Sequence, residues 1–195
     1  NKAYIGHILE VGHGSVLEHC VFSFVITGIS RSLTHELVRH RVGWSYSQLS
    51  QRYVDESDVA FVVPPAYMHP SHDYEGMLLY LEWEESCEKA LETYRELLRL
   101  SESDASGSTA SKKQVREAAR SVLPNCTETK IFATANARAL RHFVELRGSE
   151  HADAEIRRLA RVLLGVLKRE APNLFGDYDV PADEAGSITT PYGKI

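Results

Sequence analysis

From residue 73 to residue 100 the chain runs without proline, and Met77, Leu78, Leu81, Cys87, Leu91, Tyr94 and Leu98 recur at spacings that mark one helical face. This is the clearest helix in the sequence. Residues 18–27 are instead rich in β-branched and aromatic types and read as a strand that Gly28 ends. Residues 127–135 read as a second main strand, and residues 59–63, stopped by Pro64 and Pro65, as a short one. Helices are expected over 3–12, from an N-cap at Ser30 to about Arg41, over 112–122 ahead of Pro124, and over 136–146 and 150–170. The polar, aromatic segment 43–52 reads as a loop, the Ser-rich segment 101–111 as a mobile linker, and the tail from Pro181 as poorly packed. The mixture indicates an α+β fold with few strands, in a single domain over 1–180 followed by a tail over 181–195.

An apolar fraction of 43% and a charged fraction of 25% over 195 residues exclude whole-chain disorder and collagen-like or coiled-coil repeats. The longest strongly apolar stretch, residues 20–29, is broken by Ser23, Thr27 and Gly28 and is about half of what a membrane-spanning helix needs. The net charge of −5 is unevenly distributed. Arg31, Arg39, Arg41 and Arg52 face only Glu36 within residues 31–52, while acidic residues gather over 82–92. An acidic chain with one basic cluster argues against general nucleic-acid binding. It fits a site for a small anion, or surface arginines held in salt bridges. Three cysteines without CxxC spacing, Cys20, Cys87 and Cys126, do not make a disulfide framework, so a reducing compartment, the cytoplasm, is expected. No signal or transit peptide is visible. The chain begins at Asn1 without methionine and runs straight into apparent structure.

No dinucleotide-binding GxGxxG and no phosphate-binding GxxxxGK[ST] motif is present. His35-Glu36 starts like a zinc-protease motif, but Arg39 stands where the second histidine belongs. His40 points about 140° away from His35 on a helix, and no metal site is expected. Cys20 reads as core rather than nucleophile. The concentrated signal is Arg39-His40-Arg41 followed by Ser45, Ser47, Gln48, Ser50 and Arg52. Arginine forks match phosphate and carboxylate oxygens, and hydroxyls add neutral hydrogen bonds, so the segment suits a phosphorylated, hydroxyl-rich ligand. The bland alternative is a solvated basic loop. Lys113, Arg116 and Arg120 share a second basic face, which Glu117 partly neutralises. Arg138, Arg141, His142 and Arg147 crowd one short helix, and Arg147 is expected to face inward because Phe143 and Leu140 precede it by four and seven residues.

Taken together, these residues resemble a known family. Arg39-His40-Arg41 with the downstream Ser50 is similar to the RHR…S signature of the flavin-dependent thymidylate synthases, the thymidylate synthase-complementing proteins. GHGSVLEH at 12–19, ISRS at 29–32, SYSQLSQRY at 45–53, AARSVLP at 118–124, Leu146-Arg147 with His151-Ala152, and LFG at 174–176 extend the resemblance over almost the whole chain. It implies a small, mostly antiparallel central sheet with flanking helices, and a homotetramer whose sites are assembled from several subunits. By position, Ser15, His19, Arg39, His40, Arg41, Asn136, His142 and His151 match residues that hold FAD. Glu36, Gln48, Ser50, Arg52, Lys113, Arg120 and Arg147 match residues that hold the nucleotide. The implied reaction is C5-methylation of a uracil nucleotide, dUMP or UMP, with methylenetetrahydrofolate as carbon donor and FAD reduced by NADPH. Arg147 is the candidate catalytic residue, stabilising negative charge on the ring. Arg120 and Arg52 would clamp the phosphate. The sequence departs from the family at one point. The usual spacing between RHR and the serine is seven residues, and here residues 42–49 make eight, so Val42-Gly43-Trp44 reads as a one-residue expansion. Two other readings stand beside this one: a flavoprotein that oxidises NADPH without methyl transfer, and a noncatalytic nucleotide-binding module.

Overall fold

The computed structural model describes residues 1–68, 74–102 and 109–193. In chain order the elements are α1 (Lys2–Glu10), α2 (Gly14–Leu17), β1 (Val21–Ser30), α3 (Arg31–Leu37), β2 (Trp44–Gln48), α4 (Pro65–Met68), α5 (Tyr74–Glu102), α6 (Thr109–Ala119), a 3-10 turn over Arg120–Val122, β3 (Glu128–Asn136), α7 (Ala137–Arg147), α8 (Ala154–Glu170) and α9 (Pro172–Phe175). The strands form one antiparallel sheet in the order β1-β3-β2. The α+β class with a small sheet and flanking helices is as expected.

Several local expectations need correction. Gly28 does not end β1. It takes a left-handed φ of +68°, donates its N–H to Glu128 Oε1 at 3.0 Å, and the strand continues to Ser30. The helix that follows stops at Leu37 rather than near Arg41. The segment 43–52 is not all loop, because residues 44–48 form β2. The signal was there: Trp44, Tyr46 and Gln48 alternate with Ser45 and Ser47, and the first set is half-buried while the serines are exposed. Its polarity hid a strand whose backbone is paired with β3, as Leu49 N–H to Lys130 O at 2.9 Å and Asn136 N–H to Gly43 O at 3.0 Å show. Residues 59–63 contribute only a bridge between Phe61 and Thr127. Of the expected linker over 101–111, residues 103–108 lie outside the described residues.

Contacts divide the chain into two units, the first made of Asn1–Ile26, Leu33–Ser47 and Phe132–Ile195, the second of Thr27–Ser32 and Gln48–Ile131. In the first, α7 packs on α8 and α8 on α9. Leu140, Phe143, Ile156, Leu164 and Phe175 are fully buried there, each worth about 1.5–3 kcal/mol of transfer free energy. Arg141 is fully buried in this core, while Arg147, expected to face inward, is half-buried. The Arg141 guanidinium donates to both Asp177 carboxylate oxygens at 2.8 and 2.7 Å and to Leu174 O at 2.7 Å. These charge-assisted bonds hold Asp177 below the usual carboxylate range despite its burial.

The tail is packed, contrary to its Gly/Pro/Thr composition. Tyr178 and Ile188 are buried, Asp179 bridges Thr189, and Arg161 donates to the carbonyls of Pro181, Asp183 and Gly186. One arginine thus satisfies carbonyls that would otherwise need secondary structure.

In the second unit α5 packs on α6. Tyr94 is fully buried, and its hydroxyl accepts the Glu56 N–H at 3.2 Å. Cys87 and Cys126, both free thiols, lie 3.5 Å apart, and burial pushes the Cys87 thiol up to about 12. Met77, Leu78 and Leu81, the first residues of the expected apolar face, are exposed. No helix among the described residues is long and apolar enough to cross a membrane.

Candidate functional site

The first unit presents a linked set of charged and aromatic groups built from the end of α3, the strand β2 and the helix α7. Tyr46 shapes it from below. Its hydroxyl lies 2.9 Å from both Leu37 O and His40 O, so the strand side chain ties down the turn that closes α3. That turn leaves Arg39 and Arg41 exposed and tucks His40 inside at 8% exposure. Phe143 and Trp44 pack around the His40 ring with centroids at 5.1 and 6.3 Å, and His142 lies at 6.1 Å.

Arg147, the last residue of α7, meets this turn. Its Nε donates to His40 Nε2 at 3.0 Å, and its Nη1 donates to Glu36 Oε2 at 2.7 Å. The two side chains of the ion pair are 18% and 32% exposed. Burial lowers the His40 pKa to about 4, with the nearby Arg147 and His142 acting in the same direction. His40 is therefore neutral at pH 7, accepts at Nε2, and carries its hydrogen on Nδ1. Glu36 and His40 together fix two edges of one guanidinium, and Nη2 makes no hydrogen bond to the described residues.

Val42-Gly43-Trp44, read in the sequence as a one-residue expansion, form a tight turn. Trp44 N–H donates to Arg41 O at 3.2 Å, Val42 at its tip is 91% exposed, and Gly43 takes φ +74°. A Cβ at Gly43 would fall 2.7 Å from Asn136 Nδ2 and 2.9 Å from the Ala139 Cβ. Only glycine allows both the backbone angle and this approach. Asn136 itself caps α7 by accepting the Ala139 N–H at 2.9 Å.

All eight residues matched to FAD by position lie in the first unit: Ser15, His19, Arg39, His40, Arg41, Asn136, His142 and His151. The structure brings His40 to His142, and Asn136 to the turn after Arg41. It shows no such contact for Ser15, His19 or His151 among the described residues. All three are exposed, and His151 Nε2 has only Glu150 at 3.8 Å. Arg39 and Arg41 form no ion pair with the described residues, and two exposed, uncompensated guanidiniums suit a pyrophosphate. The imidazole and indole edges beside them suit a flat ring system. The residues present therefore fit a flavin dinucleotide.

The nucleotide candidates other than Glu36 and Arg147 lie in the second unit. Gln48 Nε2 donates to Thr129 Oγ1 at 3.3 Å, and Ser50 O receives the N–H groups of Tyr53 and Val54. Arg52 lies 4.0 Å from Glu117, with both side chains largely exposed. Lys113 Nζ sits 5.2 Å from the Tyr53 ring centroid. Arg116, grouped with Lys113 and Arg120 by spacing, is taken up structurally by Tyr53 O at 2.9 Å and Asp55 at 3.5 Å. Arg120 begins the 3-10 turn, and its charge, after burial, lowers the pKa of Arg31.

Two residues without an assigned role belong with this group. Arg31 is half-buried within reach of the Arg120 charge, with Glu56 opposing. Gln51 is 95% buried by its 5% exposure, and its Nε2 has no hydrogen-bond partner. Arg31 was visible in the sequence as one of the basic cluster. Gln51 had no signal beyond its place between Ser50 and Arg52. A buried donor without a protein partner at Gln51, and two guanidiniums close enough to repel at Arg31 and Arg120, each suit an oxyanion-rich ligand.

Comparison with known proteins gives the family. The family model described as thymidylate synthase complementing protein matches residues 1–173. A flavin-dependent thymidylate synthase of Mycobacterium tuberculosis is 51% identical over 196 aligned positions, covering 98% of this chain and 76% of the relative. One of Mycobacterium bovis gives the same figures. That of Mycobacteroides abscessus is 51% identical over 180 positions, covering 92% of this chain and 70% of the relative. On the family model over residues 1–173 and on relatives at 51% identity, the chain belongs to the thymidylate synthase complementing protein family.

Proposed function

We propose that this protein methylates C5 of dUMP to give dTMP, with Arg147 as the catalytic residue. The observation that carries this reading is the Glu36–Arg147–His40 arrangement, in which one guanidinium is held at 2.7 and 3.0 Å with its third nitrogen left over. A fixed donor aimed at a uracil carbonyl stabilises the negative charge that builds on the ring when C5 becomes nucleophilic. The neutral His40 helps because it accepts from Arg147 without competing for the anion. FAD reduced by NADPH supplies the reducing equivalents, and methylenetetrahydrofolate the one-carbon unit, when they are bound. Ser15, His19, Arg39, His40, Arg41, Asn136, His142 and His151 are the residues to hold FAD. Gln48, Ser50, Arg52, Lys113 and Arg120 are the residues to hold the phosphate and sugar end of a nucleotide, which in an assembly of copies need not be the one held by Arg147 of the same chain, with Arg31 and Gln51 added on the grounds given above. Exposed Met77, Leu78 and Leu81 on α5 support assembly with further copies of the chain, and a homotetramer is the state we propose.

The choice of dUMP over UMP is supported by the place of the turn at Gly43, which lies ahead of β2, while Leu49 N–H bonds Lys130 O beyond it. The test is a product assay by mass with FAD, NADPH and methylenetetrahydrofolate, offering dUMP and UMP together. Methylated dUMP alone is expected. Equal methylation of UMP overturns the sugar preference, and NADPH consumption without a methylated nucleotide overturns the reaction. In the same assay Arg147→Ala should lower turnover about 10²–10³-fold, as losing one preorganised donor does elsewhere. Unchanged turnover would remove Arg147 from its role.

A further inference from the structure

The arrangement around Arg147 depends on where α7 ends, and that end is held by the tail. Gly148 caps the helix, its N–H donating to Val144 O at 2.8 Å. Its own carbonyl accepts the Ile188 N–H at 2.8 Å, and the next turn is pinned by Glu150 N–H to Ser187 Oγ at 2.9 Å. Ile188 is buried, and its side chain lies so close that a Cβ on Gly148 would fall 2.7 Å from Ile188 Cδ1 and 3.0 Å from its Cβ. Tyr178 reaches the same helix from the other end of the tail, its hydroxyl 3.2 Å from Arg141 O and from Glu145 Oε1. Tyr178, Ser187 and Ile188 lie beyond the family-model match, which stops at residue 173.

We propose that the segment 177–190 is a positioning element for Arg147, and that Ile188 is its key residue. The inference rests on the reading of Arg147 given above. The carbonyls at a helix C-terminus have no partners within the helix, so its last turn frays unless something else binds it. Here the Ile188 N–H supplies that partner, and the Ile188 side chain packs over the one residue that has no side chain of its own. Arg147 is adjacent to that contact. If the last turn loosens, the bonds to Glu36 and His40 at 2.7 and 3.0 Å are the first to lose their geometry. The function of the tail is then precision at the guanidinium, in addition to stability.

The experiment is a double-mutant cycle on the FAD-loaded protein, reading dUMP dissociation constants by equilibrium dialysis, with thermal unfolding recorded for each variant. The variants are Ile188→Val, Ile188→Ala, Arg147→Ala, and Arg147→Ala combined with each substitution at 188. Ile188→Val removes only the Cδ1 that lies against Gly148, so it keeps the test usable if Ile188→Ala fails to fold. In the presence of Arg147, dUMP affinity should fall about 3-fold for Ile188→Val and about 10-fold for Ile188→Ala, as sub-ångström misplacement of a binding group does. With Arg147→Ala in place the same substitutions should change affinity less than about 1.5-fold, while still lowering the unfolding temperature. A purely structural tail would shift affinity equally in both backgrounds, or in neither, and either result overturns the proposal. If Arg147→Ala alone leaves dUMP affinity and turnover unchanged, the reading of Arg147 fails first and the positioning role falls with it.

Discussion

In the first unit Arg147 is held twice, by Glu36 at 2.7 Å and by His40 at 3.0 Å, and Arg141 is locked on both oxygens of Asp177. In the second unit Arg52 approaches Glu117 only to 4.0 Å, with side chains 41% and 49% exposed. The proposed roles explain the contrast. A group that must stabilise charge on a reacting ring gains from being fixed before the substrate arrives. A group that grips a phosphate meets a full negative charge on every visit and can close on it from several rotamers. Burial and ion pairing thus fix Arg147 and Arg141, while Arg52 keeps room to move. Exposed pairs of the Arg52–Glu117 kind contribute little to stability.

Four changes would sharpen or break this contrast. The largest effect is expected for Arg141→Met, which leaves Asp177 buried beside no counter-charge and should cost about 3–5 kcal/mol in urea unfolding. A loss below about 1 kcal/mol would mean the first unit is not held by this pair.

Acidification comes next. An unfolded histidine takes up its proton near pH 6.5, roughly, but folded His40 does so only near about 4. Between those values the unfolded chain binds the proton and the folded one does not, so stability falls as pH drops through that window and levels off below it. His40→Gln should flatten the pH dependence of the urea midpoint there. Asp177 has its depressed carboxyl pKa, so its contribution is present above the unfolded value and is lost only below about pH 4, as pH falls through the folded value. The two windows can be read apart.

Gly43→Ala is third. It sets a Cβ against Asn136 and Ala139 at a left-handed φ, and about 1–3 kcal/mol of destabilisation is expected, together with weaker FAD retention on gel filtration. Full FAD retention would show the turn to be independent of the flavin edge. The smallest effect on stability is expected for Arg52→Ala, within about 0.5 kcal/mol, although dUMP affinity should drop about tenfold in titration calorimetry. A large loss of stability instead would place Arg52 among the fixed cations and erase the contrast.

The parts of this molecule that were legible in sequence are those written locally. The periodicity of residues 73–100 gave α5 almost to its ends, and the β-branched runs gave β1 and β3. The strand β2 was hidden because its inward face is Trp, Tyr and Gln and its outward face is serine, a polar alternation that resembles a loop until the backbone partners are known. Arg141 and Arg147 differ by six residues on one helix, and nothing local says which is buried. The answer depends on Asp177, 36 residues further on. Tail packing was unreadable for the same reason, since one side chain, Arg161, satisfies three of its carbonyls. For the site, the RHR turn and Ser50 were legible as motif, and the proximity of Arg147 to His40 and Glu36 was not.

The aromatic packing around His40 has an optical consequence. The chain has two tryptophans, and each unit contains one, Trp44 stacked on Tyr46 in the first and Trp83 beside Tyr80 in the second. Both are half-buried, so each should change its emission when its own surroundings come apart. Trp83→Phe leaves a fluorophore that reports on the RHR turn, and Trp44→Phe leaves one that reports on α5. The protein thus carries a separate internal probe for each unit, and superimposable melting curves from the two variants would mean that the two units unfold as one.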